Sequence, residues 1–166
     1  MQTLRTRFAP SPTGYLHLGH VVHALWVWGV ARHLGAEVIL RLEDHDRTRC
    51  RPEYGAALLD DLEWLGLRPS QPTIDSLRSG RSDFRQSDCK EVYVQQLELL
   101  KRHAHVYACD CSRKRISERT GEVGEELRYD GHCRHRNLPF TALHSIRVQL
   151  PEEEVFFEDL LLGPQT

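Results

Sequence analysis

No stretch of eighteen apolar residues occurs in this chain, and its first residues run directly into Leu4-Arg5-Thr6-Arg7-Phe8 without the apolar centre of a secretory signal. Neither a membrane-spanning helix nor an export signal is expected, and the cytoplasm is the expected location. Charge of one sign is equally scarce. With 22 basic and 24 acidic residues the formal charge is −2, which excludes a global pull toward nucleic acid and makes any RNA contact local. Repeats and low-complexity tracts are missing. Aliphatic residues almost vanish between 113 and 139, and so polar a segment cannot hold its shape by core burial alone. Either it is mobile or a metal organises it. The five cysteines form an odd set, with Cys109, Cys111 and Cys133 gathered and Cys50 and Cys89 apart. That pattern suits metal ligation in a reducing compartment better than a disulfide framework.

What is present is an ordinary globular composition, 40% apolar and 28% charged over 166 residues, enough for one domain with a core and a small insert. Residues 4–8 read as a first strand, 21–33 as a helix ended by Gly35, and 37–42 as a second strand delivering Glu43 and Asp44 at its carboxyl end. Strand, helix, strand implies a parallel pair with a crossover, and ligands in such sheets bind beyond the carboxyl ends of the strands. Pro52 opens a helix over 52–65 with Tyr54, Leu58, Leu59, Leu62 and Leu65 on one stripe. Residues 68–82, rich in Ser, Pro and Gly, are expected to connect, and a helix follows from 87 or 88 to 103. Further strands are expected at 145–150 and 155–157.

The run Arg7-Phe8-Ala9-Pro10-Ser11-Pro12-Thr13-Gly14-Tyr15-Leu16-His17-Leu18-Gly19-His20 sets two histidines and a close-approach glycine ahead of an apolar helix. Free N–H groups and the helix dipole favour an anion there, so His17, Gly19 and His20 are candidates for an ATP phosphate site, with the two histidines stabilising charge during a transfer step. Arg7 suits a carboxylate and Glu43 suits an amine, a pairing that matches the two charged ends of an amino acid. Asp44 and Asp46 are expected to orient arginines or the following helix rather than to react. Cys109-Asp110-Cys111 and the returning Cys133 supply three soft ligands for zinc, whose fourth position is open to Tyr129, His132, His135 or water. Arg113, Lys114, Arg115, Arg119, Arg128, Arg134, His135 and Arg136 form a local basic cluster that could guide RNA phosphates, interleaved with Glu118, Glu122, Glu125 and Glu126.

The first run, together with Arg41-Leu42-Glu43-Asp44-His45-Asp46-Arg47-Thr48-Arg49 and Arg85-Gln86-Ser87, resembles class I glutamyl-tRNA synthetases and their short relatives, the glutamyl-queuosine tRNA(Asp) synthetases. The resemblance covers nearly the whole chain and departs from the family at Cys89, where an arginine is usual. It implies a Rossmann-like α/β class I catalytic domain with a small zinc-binding insertion, apparently truncated, divided as 1–108, 109–140 and 141–166. It implies that Arg7, Phe8, Ala9, Pro10, Ser11 and Glu43 hold L-glutamate, and that His17, Gly19 and His20 hold ATP with Mg2+. The Tyr-x3-Cys within Tyr129-Asp130-Gly131-His132-Cys133-Arg134 further implies that one structural Zn2+ sits on Cys109, Cys111, Tyr129 and Cys133. The implied activity is ATP-dependent activation of glutamate and its transfer to queuosine in tRNA(Asp), by a monomer with no membrane partner. The family's second nucleotide signature, a Lys-Met-Ser-Lys-Ser type loop, has no match before Thr166, so an N-terminal portion of a longer enzyme is expected. Alternatives are a fragment of a glutamyl-tRNA synthetase proper, a zinc-stabilised non-catalytic RNA- or protein-binding module, and a free-standing nucleotidyltransferase.

Overall fold

The computed structural model describes residues 3–103, 105–122, 124, 127–151, 153–159 and 161–166, so Glu125 and Glu126 of the basic-acidic segment lie outside the described residues. The chain forms two compact units, 1–94 and 95–166.

In the first unit, strand β1 (Arg5–Phe8) pairs in parallel with β2 (Glu37–Leu40), from Arg5 opposite Glu37 to Phe8 opposite Leu40. Helix α1 (Leu18–Leu34) is the crossover between them. It starts three residues before the expected position because His17 caps it. It stops where Gly35 takes a left-handed φ of 63° and its amide bonds the Ala31 and Arg32 carbonyls. Beyond β2 the chain stays extended: Leu40 N–H bonds Gln71 at 2.8 Å and Leu42 N–H bonds Phe84 at 2.9 Å. Parallel bridges from Ile39 to Gln71 and from Leu42 to Arg85 extend this edge.

Alternation along the strands turns Phe8, Val38, Leu40 and Leu42 into the core. There they join Ala24, Val27 and Ala31 of α1. Helix α2 (Pro52–Trp64), with Pro52 in its first turn, adds Leu58, Leu59 and Leu62. The expected connection over 68–82 carries a short helix, α3 (Ile74–Arg78), capped by the Thr73 hydroxyl and anchored by buried Ile74 and Leu77. A 3₁₀ turn (Gln86–Cys89) leads into α4 (Lys90–His103).

In the second unit, β3 (Val106–Cys109) pairs antiparallel with β4 (Ser145–Val148), placing Tyr107 opposite Arg147 and Cys109 opposite Ser145. This pairing groups 145–148 with 106–109, and both lie in the unit 95–166. Between the strands, in the polar stretch, lies helix α5 (Arg113–Thr120), capped by Ser112 and closed by Gly121 at φ 73°. Strand β5 (Phe157–Asp159) starts two residues later than expected and pairs with β6 (Gly163–Gln165). The core here is small and sulfur-rich: Cys109, Cys111, Cys133 and Ile116, with Tyr107, Leu127, Tyr129 and Leu138 against them. Among the described residues no helix is long and apolar enough to cross a membrane.

Candidate active site and metal centre

The parallel register decides which substrate candidates share a face. Hydrogen bonds from Arg41 N–H to Phe8 (3.0 Å) and from Glu43 N–H to Pro10 (3.1 Å) carry the pairing past β2. The alternation therefore sets Arg7, Ala9, Ser11, Arg41 and Glu43 on one side of the sheet, and Phe8 on the other. Phe8, only 1% exposed, is a core residue packed edge-on against His23 and Trp28. Its side chain thus points away from the face that carries Arg7, as a strand neighbour must. Arg7 is exposed and forms no ion pair among the described residues. It lies opposite Ile39, four positions before Glu43, or about 13 Å along the strand. Such a gap suits a small ligand held at both ends.

The sequence reading gave Arg41 no role, yet it is the side chain that touches Glu43. The two form a close ion pair, each about a quarter exposed. Two positions apart on one strand with opposite charge was the available signal. Arg41 Nε is buried without a partner. Asp44 and Asp46 orient their surroundings as expected. Asp44 accepts from the Ser87 amide and hydroxyl, both at 2.8 Å, and from Arg85 at 3.4 Å. Asp46 accepts from the Thr48 hydroxyl at 2.6 Å and from Arg49 at 2.7 Å, which together hold its carboxyl well below the usual range. A cavity of about 450 Å³ opens beside this row, lined by Pro12, Asp44, Arg47, Arg51, Arg85 and Ser87 among others. Neither Arg7 nor Glu43 lines it. Cys89 donates to the Asp83 and Arg85 carbonyls at 3.2 and 3.5 Å, and exposed Lys90 takes up no ion pair among the described residues.

At the start of α1 the two histidines form a reciprocal cap. The Gly19 amide donates to His17 Nδ1 at 3.2 Å, and the His17 amide donates to His20 Nδ1 at 3.3 Å. Each Nδ1 is thereby an acceptor, so in a neutral ring the proton sits on Nε2, the far side of the imidazole. The rings lie 3.9 Å apart between centroids. Burial, then the neighbouring His17 and His23, lowers the pKa of His20 and favours the neutral form. Gly19 leaves room for the His17 ring: an added Cβ would stand 3.1 Å from His17 Cε1, and the ring would have to give by a few tenths of an ångström.

The sulfur atoms of Cys109, Cys111 and Cys133 lie within 4.8 Å of one another, all buried. Exposed His132 and His135 do not belong to that group. Tyr129 does reach it: its hydroxyl is 3.3 Å from Cys109 Sγ and accepts the Cys133 amide at 2.9 Å. Three soft donors and one oxygen fit a metal that prefers four ligands, and the cluster is consistent with a structural metal site. Burial raises the Cys109 thiol, but bonds with Tyr129 and Arg147 outweigh it and bring its pKa down to about 6. Much of the basic cluster serves this site. Arg119 grips Asp130 with two bonds (2.7 and 3.0 Å) and reaches Cys111 Sγ at 3.5 Å. Arg136 bonds Asp110 at 2.8 Å and Cys133 Sγ at 3.4 Å. Arg115 faces Asp110 at 4.0 Å and Lys114 faces Glu118 at 3.9 Å.

Comparison with known proteins follows the same lines. The pattern of the family described as "tRNA synthetases class I (E and Q), catalytic domain" matches residues 3–164. A glutamate–tRNA ligase of Frankia casuarinae is 37% identical over 161 residues, covering 96% of this chain and 32% of the relative. A glutamyl-Q tRNA(Asp) synthetase of Rhodobacter capsulatus is 39% identical over 168 residues, covering 93% of this chain and 56% of the relative. Among solved structures, a glutamate tRNA ligase from Elizabethkingia meningosepticum, in complex with its amino acid, superposes with a TM-score of 0.74 at 28% identity, over 99% of this chain and 36% of that one. The chain thus spans between about a third and somewhat over half of these relatives. It belongs to the class I tRNA synthetases of the glutamate and glutamine group, and its fold is their α/β, Rossmann-like catalytic domain.

Proposed function

We propose that this chain forms the ATP- and glutamate-binding part of an enzyme that activates L-glutamate to glutamyl adenylate and transfers it to queuosine in the anticodon of tRNA(Asp). One observation carries the glutamate reading: Arg7, Ala9, Ser11, Arg41 and Glu43 share a face of the sheet at its carboxyl rim. Arg7 meets the side-chain carboxylate with a bidentate fork, and Glu43, oriented by Arg41, meets the ammonium group. The α-carboxylate then attacks the α-phosphorus of ATP, forming a C–O–P bond as the bond to pyrophosphate breaks. No side-chain nucleophile is needed. His17 and His20, each accepting an amide at Nδ1 and so left to donate from Nε2, donate to the phosphate oxygens as charge builds on them. Magnesium, arriving with ATP, supplies charge neutralisation on the phosphates.

Zinc on Cys109, Cys111, Tyr129 and Cys133 is a structural crosslink, since four protein donors leave no open position for water. The Cys-x-Cys and Tyr-x3-Cys pattern is what resembles the glutamyl-queuosine enzymes in particular, and the approach of Tyr129 to the sulfurs supports that branch. A second reading, a glutamate–tRNA ligase that charges a terminal ribose, is favoured by the comparable identity to relatives of that name.

The test is glutamate-dependent ATP–pyrophosphate exchange by this chain fused to the remainder of the Rhodobacter capsulatus relative, followed by transfer to two RNAs. The proposal expects exchange with glutamate and transfer to queuosine-bearing tRNA(Asp). Transfer to tRNA(Glu) alone would establish the second reading. Absence of exchange would leave a non-catalytic binding module.

A further inference from the structure

Arg147 stands in strand β4, far in sequence from the cysteines, yet the antiparallel register sets it directly opposite Tyr107. Residues facing each other across two strands project from the same side of the sheet. Both meet Tyr129 there. The Arg147 guanidinium carbon lies 3.6 Å from the centre of the Tyr129 ring, while the Tyr107 ring stacks beside it, 6.5 Å between centroids and 25° between planes. The Tyr129 hydroxyl in turn lies 3.3 Å from Cys109 Sγ, so the cation covers the face of the ring whose oxygen meets the sulfur. Arg147 Nε is buried and has no partner, an unmet donor in a position no solvated surface arginine would hold.

We propose that Arg147 is the positioning residue that makes Tyr129 the fourth donor of the metal site, by pinning the phenol ring beneath its planar guanidinium with the hydroxyl against Cys109. The inference rests on the zinc reading above and names what that reading leaves unexplained. A tyrosine hydroxyl lies at the far end of a long side chain, so a small tilt of the ring would carry it out of reach. His132 stands one residue from Cys133 and would otherwise compete. The guanidinium fixes the ring from one face and Tyr107 from the side, while the Cys133 amide fixes the oxygen at 2.9 Å. The charge of the gathered donors is offset in the same stroke. Arg119 and Arg136 each contact a sulfur but spend their strongest bonds on Asp130 and Asp110. Among the described residues Arg147 forms no such ion pair with a carboxylate. Its positive charge is therefore left for the donors themselves.

The experiment compares the zinc-loaded chain with Arg147→Gln, Arg147→Lys, Tyr129→Phe and the Arg147→Gln/Tyr129→Phe double variant. Zinc retention is read by competition with a chromophoric chelator, and ligand geometry by the visible absorption of the cobalt-substituted forms. If Arg147 acts through Tyr129, Arg147→Gln weakens zinc by about 10- to 100-fold, as removal of an outer-shell partner does. Its cobalt spectrum then shifts toward that of Tyr129→Phe, and the double variant is no worse than Tyr129→Phe alone. Arg147→Lys, which keeps the charge without the planar fork, falls between, and it carries the comparison should Arg147→Gln fold poorly. Zinc retention unchanged in both Arg147 variants, or losses that multiply in the double variant, would overturn the proposal and leave the metal site standing. A wild-type chain that retains no zinc would overturn the metal reading itself.

Discussion

Gly19 shows how one missing methyl group sets the candidate ATP site. With a Cβ in place, the His17 ring would have to give by a few tenths of an ångström, which strains its bond from the Gly19 amide. Gly19→Ala is expected to cost the helix about 0.5–2 kcal/mol, the usual worth of an N-cap, and to weaken ATP binding by displacing His17 Nε2. Urea unfolding and calorimetric titration with ATP check the two losses. Gly29→Ala is the control: it sits mid-helix with open space around it, and should stabilise α1 by about 0.5–1 kcal/mol. His20 adds a pH dependence whose sign follows from its lowered pKa. A base that resists protonation in the folded state contributes stability that is complete above its ordinary value of 6.5 and declines as pH falls below it. An NMR titration should place the His20 midpoint below 6.5, moving upward in His17→Gln because one neighbouring positive charge is gone. A midpoint at or above the ordinary value would contradict the burial of this ring.

Among the elements, α5 is held by different means from α1. It buries only Ile116, so its ends and its charged contacts do most of the fixing. The Ser112 hydroxyl accepts the Arg115 amide at 3.3 Å, and from the last turn Arg119 reaches both Asp130 and Cys111. Ser112→Ala should lower the stability of the second unit by about 1 kcal/mol and loosen metal retention through Arg119, measured by urea unfolding and chelator competition. The same contrast explains what could be read from the amino-acid order. Strand, helix, strand was legible in the first unit because Val22, Leu25, Trp26, Gly29 and Val30 stand close to helical spacing between two β-rich runs, but the buried face is the other one: Val22, Leu25 and Trp26 are exposed, and Ala24, Val27 and Ala31 face the core. The early start of α1 was not legible, since histidine is an uncommon cap. Neither α3, five residues among Ser, Pro and Gly, nor α5, with its single buried side chain, carries a periodic signal. The cysteine trio was legible from spacing; the Arg41–Glu43 pair was missed, although strand alternation puts the two on one face. Arg147 was hidden because its meaning lies in the register of β3 with β4, a pairing that spans forty residues of chain.

At the scale of the whole molecule, the two units have cores of different chemistry, and this difference predicts how they fail. The first is packed with leucine, isoleucine, valine and phenylalanine from two strands and three helices. In the second, among the described residues, three of the five buried side chains are cysteines, and Ala108 and Ile116 are the buried aliphatic ones. Burying a side chain the size of Ile116 is worth about 1.5–3 kcal/mol, while each ordered residue costs about 1–2 kcal/mol of backbone entropy. Apolar burial is scant beside the ordering of the long polar stretch between β3 and β4, and the metal crosslink proposed above would add to it. Removing the metal with excess chelator should open that unit and spare the first. In hydrogen exchange, the amides of β3, β4 and α5 would lose protection, while those of β1, β2 and α1 would keep it. Adding zinc back should restore the pattern, and adding magnesium should not, because thiolates bind it poorly. Protection lost together in both units would mean that they unfold as one, and protection indifferent to the chelator would mean that the cysteines pack without a metal.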